Sequence, residues 1–333
     1  MEANIEIAQT LFKQNKFQET INTCNQILSI DSNSIEALKL IAKSFLASRK
    51  IEETRFYLNK ALNIKPDDYE VIKDLGNTYQ AVGDINNAKT CYQKAIAING
   101  SYAPALSNLG MIELNLGNTQ DALSLLIKAT DSDPKLAPAW VNLANGYLQL
   151  EGKTNEAEIA CRKAIDLNPH FYNSHFILGT ILLEQNKLQE AENSLRKAIE
   201  LNPNLFNSHF ILGTILLGQK KLQEAEQSLR KSIDLNPNLF NSHFILAKIL
   251  IEQKKLQEAE QPLRKTIEIK ADYAEAHYNL GNILKDLGKS QDAELSYRKA
   301  IELNPDYVVA HSNLGNILKD LGKLQEAELS YRK

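Results

Sequence analysis

Cysteine, tryptophan, basic excess and long apolar runs are all scarce in this chain. Its three cysteines, Cys24, Cys91 and Cys161, are far apart and odd in number. That argues against a disulfide framework and reads as free thiols in a reducing compartment. No apolar stretch approaches the roughly 20 residues needed to span a bilayer. Lys and Arg number 38 against 41 Asp and Glu, a formal net charge of −3, so the electrostatic footprint of a nucleic-acid binder is missing. The opening MEANIEIAQTLF has acidic residues and no basic segment ahead of an apolar one, so no secretory signal is expected. These absences imply a cytoplasmic protein that inserts in no membrane and binds no nucleic acid. Catalytic signatures are missing too. There is no phosphate-cradling glycine loop after a strand, no nucleophile elbow and no HExxH, so neither enzyme activity, cofactor nor metal is expected.

What the chain does contain is one pattern, repeated every 34 residues. Units start at 1, 35, 69, 103, 137, 172, 206, 240, 274 and 308, and the fifth carries one extra residue in the turn over 149–156. Position 8 is always small, as in Ala42, Gly76, Gly179 and Gly281, and position 20 is Ala from Ala88 onward. Position 27 is usually Ala, as in Ala61, Ala95 and Ala198. Apolar residues at positions 4, 7, 8 and 11, and again at 20, 24, 27 and 28, have the spacing of one face on each of two helices. Glycines such as Gly83, Gly117, Gly288 and Gly322 mark the turn inside a unit, and prolines such as Pro66, Pro169, Pro203 and Pro305 end it. Pro262 falls inside a second helix, where it removes a backbone bond and is expected to kink or loosen it. A unit of this length cannot bury its own apolar face, so the units must stack.

Small residues at 8, 20 and 27 with proline at 32 resemble the tetratricopeptide repeat over the whole chain. The resemblance implies an all-α fold, a right-handed α-α superhelix of about ten helix pairs with the last incomplete, running as a single solenoid over 1–333. It also implies first helices on the concave side and second helices on the convex side. The wording of the repeats is similar to the superhelical arm of O-linked N-acetylglucosamine transferases and related bacterial arrays. The tryptophan usual at position 4 occurs once, as Trp140.

On that geometry, positions 2, 5, 6, 9, 12 and 13 face a partner, and three zones stand out. Lys73, Asn77 and Asn108 match three of five positions of the carboxylate clamp of chaperone-binding family members, alongside Lys39 and Lys43. The other two clamp positions are Pro138 and Asn142. An apolar zone follows, with Phe176, Phe210, Phe244 and Tyr278 beside Ile177, Ile211 and Ile245. It fits either packing between first helices or a groove for a peptide or a second copy of the chain. The third zone is an asparagine run: Asn108, Asn142 and Asn145, then Asn279, Asn282, Asn313 and Asn316. It resembles the asparagine ladder of the transferase arm, since an amide donates to and accepts from a peptide bond.

His175, His209, His243, His277 and His311 all stand at position 4. Units one helix layer apart are separated by about 10 Å, too far for one zinc with ligands at about 2 Å, so packing is the expected role. Arg-Lys pairs on second helices follow glutamates at helical spacing, as in Glu192 to Arg196, which reads as a salt-bridged solvated face. The sixth and seventh units differ only at Tyr172/Phe206, Glu184/Gly218, Asn186/Lys220, Asn193/Gln227, Ala198/Ser232 and Glu200/Asp234. Such near-copies suit a scaffold, whose added units keep the same neighbours. The expected function is therefore a protein-interaction scaffold holding a protein or extended peptide, with self-association open. The alternative is the substrate-recruiting arm of a larger glycosyltransferase or sulfotransferase, suggested by the ending at Lys333 inside a second helix.

Overall fold

The computed structural model describes residues 2–333, with side chains from Asn4 onward. Among the described residues all regular structure is helical, and the chain divides into two compact units, one ending at Pro169 and the other beginning at His170. The first unit pairs α1 (Glu2–Lys13) with α2 (Phe17–Ile30), α3 (Ile35–Ala47) with α4 (Ile51–Ile64), and α5 (Tyr69–Ala81) with α6 (Ile85–Ile98). It continues with α7 (Ala103–Asn115) and α8 (Thr119–Ser132), then α9 (Ala137–Leu148) and α10 (Thr154–Leu167). The second unit pairs α11 (Tyr172–Glu184) with α12 (Leu188–Leu201), α13 (Phe206–Gly218) with α14 (Leu222–Leu235), and α15 (Phe240–Glu252) with α16 (Leu256–Ile269). It ends with α17 (Ala274–Asp286) and α18 (Ser290–Leu303), then α19 (Val308–Asp320) and α20 (Leu324–Tyr331). From α3 on, every first helix begins at the residue where the sequence period places a new unit. No helix among the described residues is long and apolar enough to cross a membrane.

Two local devices make the period fold. Inside each pair the chain turns through one left-handed residue: glycine in five pairs, and Asn15, Arg49, Asn186, Lys220 and Lys254 in the rest. Except at the longer turn after Gly152, the next amide reaches back five residues, as from Lys255 N–H to Leu250 O at 2.8 Å, which satisfies a carbonyl left free at the helix end. Between pairs, a residue such as Asn202 (φ −144, ψ 96) takes the extended backbone that the following proline favours. Pro262 does not break α16, which runs from Leu256 to Ile269 without interruption; Thr266 Oγ1 donates to the Pro262 carbonyl at 2.9 Å.

Packing follows the small residues. Ala88, Ala122, Ala191, Ala225, Ala259 and Ala293 at position 20 are wholly buried, letting paired backbones close up. Within each unit successive first helices also touch (α1 with α3, α7 with α9; α11 with α13, α13 with α15, α17 with α19), more extensively than successive second helices do. Second helices in the second unit are instead tied by ion pairs. Glu226 takes its own Arg230 at 2.8 Å and Lys255 of the next pair at 3.0 Å, and Glu294 takes Arg298 at 2.9 Å and Lys323 at 2.8 Å. Glu192 does the same with Arg196 and Lys221, both at 2.9 Å, its side chain only 5% exposed. The sequence spacing revealed only the half of each pair that lies within one helix.

Candidate protein-binding surface on the first helices

The histidines at position 4 turn out to share a task with Trp140. Trp140 Nε1–H donates to Pro134 O at 3.0 Å, and His209, His243 and His311 donate from Nε2 to Pro203, Pro237 and Pro305 carbonyls at 2.9–3.0 Å. His277 does so to Ala271 O at 3.0 Å. A carbonyl only accepts, so these rings carry the proton on Nε2. The imidazole replaces the indole as a strut between a first helix and the preceding loop, which is the packing role the spacing implied.

In the first unit two of the three lysines of the clamp-like zone, Lys39 and Lys73, are already partnered. Lys73 Nζ lies 2.5 Å from Asp74 Oδ1. Lys39 is buried between Glu70 at 2.5 Å, Glu36 at 3.8 Å and Asp68 at 4.0 Å. Burial works against its charge, but the Glu70 hydrogen bond and the three carboxylates win and hold its pKa above the ordinary value. Asp68 in turn caps α5, accepting from the Glu70 and Val71 amides at 3.1 Å. Two of the three lysine charges of this zone are thus met from within the fold, while the half-buried Lys43 on α3 takes no part in these ion pairs.

The asparagines gather into local knots rather than one continuous ladder. Asn77 Oδ1 accepts from Asn108 Nδ2 at 2.9 Å and lies 2.8 Å from the Tyr92 hydroxyl, which also sits 2.8 Å from Gln80 Oε1. The second unit repeats the arrangement: Asn282 Oδ1 accepts from Tyr297 Oη–H and from Asn313 Nδ2, each at 2.9 Å, and Asn313 Nδ2 is 3.3 Å from Tyr278 Oη. Tyr331 donates to the exposed Asn316 at 2.8 Å. Asn142 donates instead to Ser107 at 2.9 Å. Asn145 and Asn279 are half-buried and stay outside these knots.

The tyrosines that fix these amides were not singled out from the sequence, although the signal was present. Tyr92, Tyr297 and Tyr331 stand at position 24 of the three units that combine Gly at position 8 with Asn at position 9. The glycine explains the coupling. A Cβ on Gly76 would lie 2.7 Å from the Tyr92 ring, and one on Gly281 would lie 2.7 Å from the Tyr297 ring. Its absence lets the first helix rest on the ring, and the hydroxyl then reaches the next residue's amide. Burial raises the pKa of both phenols above the ordinary range, so they remain proton donors.

In the apolar zone Phe176 and Phe210 are half-buried, as are Ile177, Ile211 and Ile245. Phe244, expected on the open face, is only 4% exposed. The Tyr273 ring lies on it, centroids 4.9 Å apart. Tyr278 is half-buried against Tyr307 at 5.0 Å. No group of three or more His, Cys, Asp or Glu among the described residues has metal-holding geometry.

This helix-pair geometry agrees with comparisons to known proteins. A family model described as the cilia and flagella-associated protein 70 C-terminal domain, a tetratricopeptide-repeat region, matches residues 68–280, well over half of the chain. Tetratricopeptide-repeat models match 274–307, which is the ninth unit as the period defines it, and 296–328. The chain belongs to this tetratricopeptide-repeat family. Among solved structures the array is similar to PilF of Pseudomonas aeruginosa, at 24% identity and TM-score 0.57, over 66% of this chain and 97% of that one. It is similar to YrrB, a TPR protein described as having an unusual peptide-binding site, at 23% identity and TM-score 0.51, over 56% of this chain and 95% of that one. The Cut9–Hcn1 assembly of APC/C aligns at 16% identity and TM-score 0.63, over 90% of this chain and 59% of that one. At such identities the likeness is one of fold. No curated protein matches the sequence. A tetratricopeptide array is in general a protein-interaction scaffold, and this chain has that architecture.

Proposed function

We propose that the tetratricopeptide array holds an extended peptide segment of a partner protein against its first helices. The observation that carries this reading is the repeated knot in which a buried tyrosine fixes an asparagine amide, Tyr92 with Asn77 and Tyr297 with Asn282. Each knot uses the oxygen of one amide and an N–H of the next. The Asn77 and Asn282 N–H donors and the Asn108 and Asn313 carbonyls are left to meet the donor and acceptor of a peptide bond whatever its side chain. The half-buried Phe176, Phe210 and the neighbouring isoleucines add an apolar strip where side chains of the same segment gain contact area. The peptide-binding description of YrrB is in keeping with this mode.

A random-peptide display library panned on the purified chain tests it. Selected peptides are expected to lose about tenfold or more in affinity with Phe210→Ala or Asn282→Ala, while helical content and melting change little. Peptides insensitive to both substitutions but displaced by changes on the second helices would sink the proposal.

A further inference from the structure

The loop residue that closes each unit, position 34, reports on a neighbouring space. Where it is tyrosine, its ring packs on the preceding first helix. Tyr273 lies T-shaped on Phe240 and Phe244, with centroids 5.6 and 4.9 Å apart. Tyr307 lies on Tyr278 at 5.0 Å, and Tyr102 on Tyr69 at 4.8 Å. Between the sixth and seventh units that position is Leu205. There the structure has an open pocket of about 280 Å³, bordered by Tyr172, Phe176, Leu205, Phe206, Asn204 and Asn207. Tyr172 and Phe176 are the counterparts of Phe240 and Phe244, which Tyr273 covers. The shorter leucine leaves uncovered the aromatic platform that tyrosine fills two units further on.

From this we infer that the pocket between α11 and α13 takes the aromatic side chain, preferably tyrosine, of a bound peptide. The occupant is indicated by the molecule itself, since the equivalent space is filled by the chain's own Tyr273. Edge-to-face packing of a guest ring on Phe176 would reproduce that contact. The phenol end also has a counterpart. Tyr273 Oη–H donates to Glu275 Oε2 at 3.2 Å, and Asn207, on the pocket rim, occupies the repeat position of Glu275. An amide oxygen there accepts from a phenol and gains nothing from a bare phenyl ring. The assignment rests on the peptide-scaffold reading for its biological meaning, but the pocket's chemistry stands on its own and is testable separately.

The test titrates N-acetyl-tyrosinamide, N-acetyl-phenylalaninamide and N-acetyl-leucinamide into the full chain, with the Phe176, Phe206 and Phe244 ring signals followed by NMR. The tyrosine amide is expected to shift Phe176 and Phe206 saturably, with a roughly millimolar Kd suited to so small a ligand. The phenylalanine and leucine amides are expected to bind progressively more weakly. Leu205→Tyr supplies the missing ring from within and is expected to weaken the tyrosine amide about tenfold or more, with helical content unchanged. Tyr273→Leu is the reciprocal change: it should open a second site, at which Phe244 begins to respond. An absence of saturable shifts in the parent protein, equal binding by Leu205→Tyr, or a silent Phe244 in Tyr273→Leu would each overturn the inference. Should Leu205→Tyr not fold, the Tyr273→Leu arm still decides. Library-selected peptides that bind Leu205→Tyr as tightly as the parent overturn the pocket and leave the scaffold reading intact. Entry of the tyrosine amide in a chain that selects no peptide supports the pocket and removes the scaffold reading.

Discussion

Replacing Ala198 with serine should stabilise the second unit, and the reason is visible one unit further along the chain. Ser232 on α14, the counterpart of Ala198, donates to Phe206 O at 3.0 Å and lies 2.9 Å from Ser242 Oγ on α15. Its single proton goes to the carbonyl, so Ser242 is the donor between the two hydroxyls. In the preceding unit Ser208 is equally buried, but Ala198 has no oxygen to offer, and Ser208 Oγ is left without a partner. An unmet buried hydroxyl costs about 1–3 kcal/mol, and each new hydrogen bond returns about 0.5–1.5 kcal/mol. Serine in place of alanine inside α12 gives back up to about 0.7 kcal/mol of helix propensity. The balance favours Ala198→Ser by about 1 kcal/mol, close to a fivefold change in the local opening equilibrium. A repeat array need not melt in one step, so the assay is native-state hydrogen exchange on the amides of α12 and α13, with the urea midpoint as support. Exchange there should slow about fivefold, and most of the gain should be lost in a Ser208→Ala background, where only the bond to the backbone carbonyl can form. An unchanged rate, or the same gain with Ser208 already removed, would refute the hydroxyl-pairing argument.

The inter-pair ion pairs predict acid sensitivity. At Glu192 and Glu226 burial raises the carboxyl pKa, but Lys221 with Arg196, and Arg230 with Lys255, outweigh it and leave each pKa below the ordinary value. Their stabilisation is therefore fully present above the unfolded value of about 4.3 and is lost as pH falls through the lower folded pKa. Urea midpoints should drop across that interval, less steeply in Glu226→Gln, and a parallel drop in both proteins would count against the ladder. The left-handed turn offers a second check. Lys254 holds φ 62, a conformation costing a side-chain-bearing residue about 1–2 kcal/mol, so Lys254→Gly should raise the urea midpoint. Lys220→Gly should gain less, because Lys220 also reaches Glu252 at 2.9 Å. Equal gains at the two sites would remove the ion pair from the explanation.

The sequence by itself determined the helix pairs and their boundaries. A 34-residue period with small residues at fixed places and proline at the exits is a local code, and backbone sterics and helix-face spacing are enough to read it. The role of the position-4 histidines as packing groups was also legible, because the distance between repeats rules out a shared ion. Tertiary structure alone decided which surface groups are free. Lys73 and the buried Lys39 pass for free cations in the sequence, yet Asp74 and Glu70 neutralise them, and Glu70 approaches Lys39 only when α5 packs beside α3. The asparagine run, already interrupted in the sequence by Ile177, Ile211 and Ile245, reads as rows of free amides until the Tyr92 and Tyr297 hydroxyls tie them into knots, a contact that requires Gly76 and Gly281 to admit a ring. Phe176 and Phe244 lie in nearly identical sequence, yet one borders an open pocket and the other is covered by Tyr273. A side chain's environment depends on what its neighbouring unit presents to it, and a single substitution such as leucine for tyrosine at position 34 changes that while leaving the repeat pattern untouched.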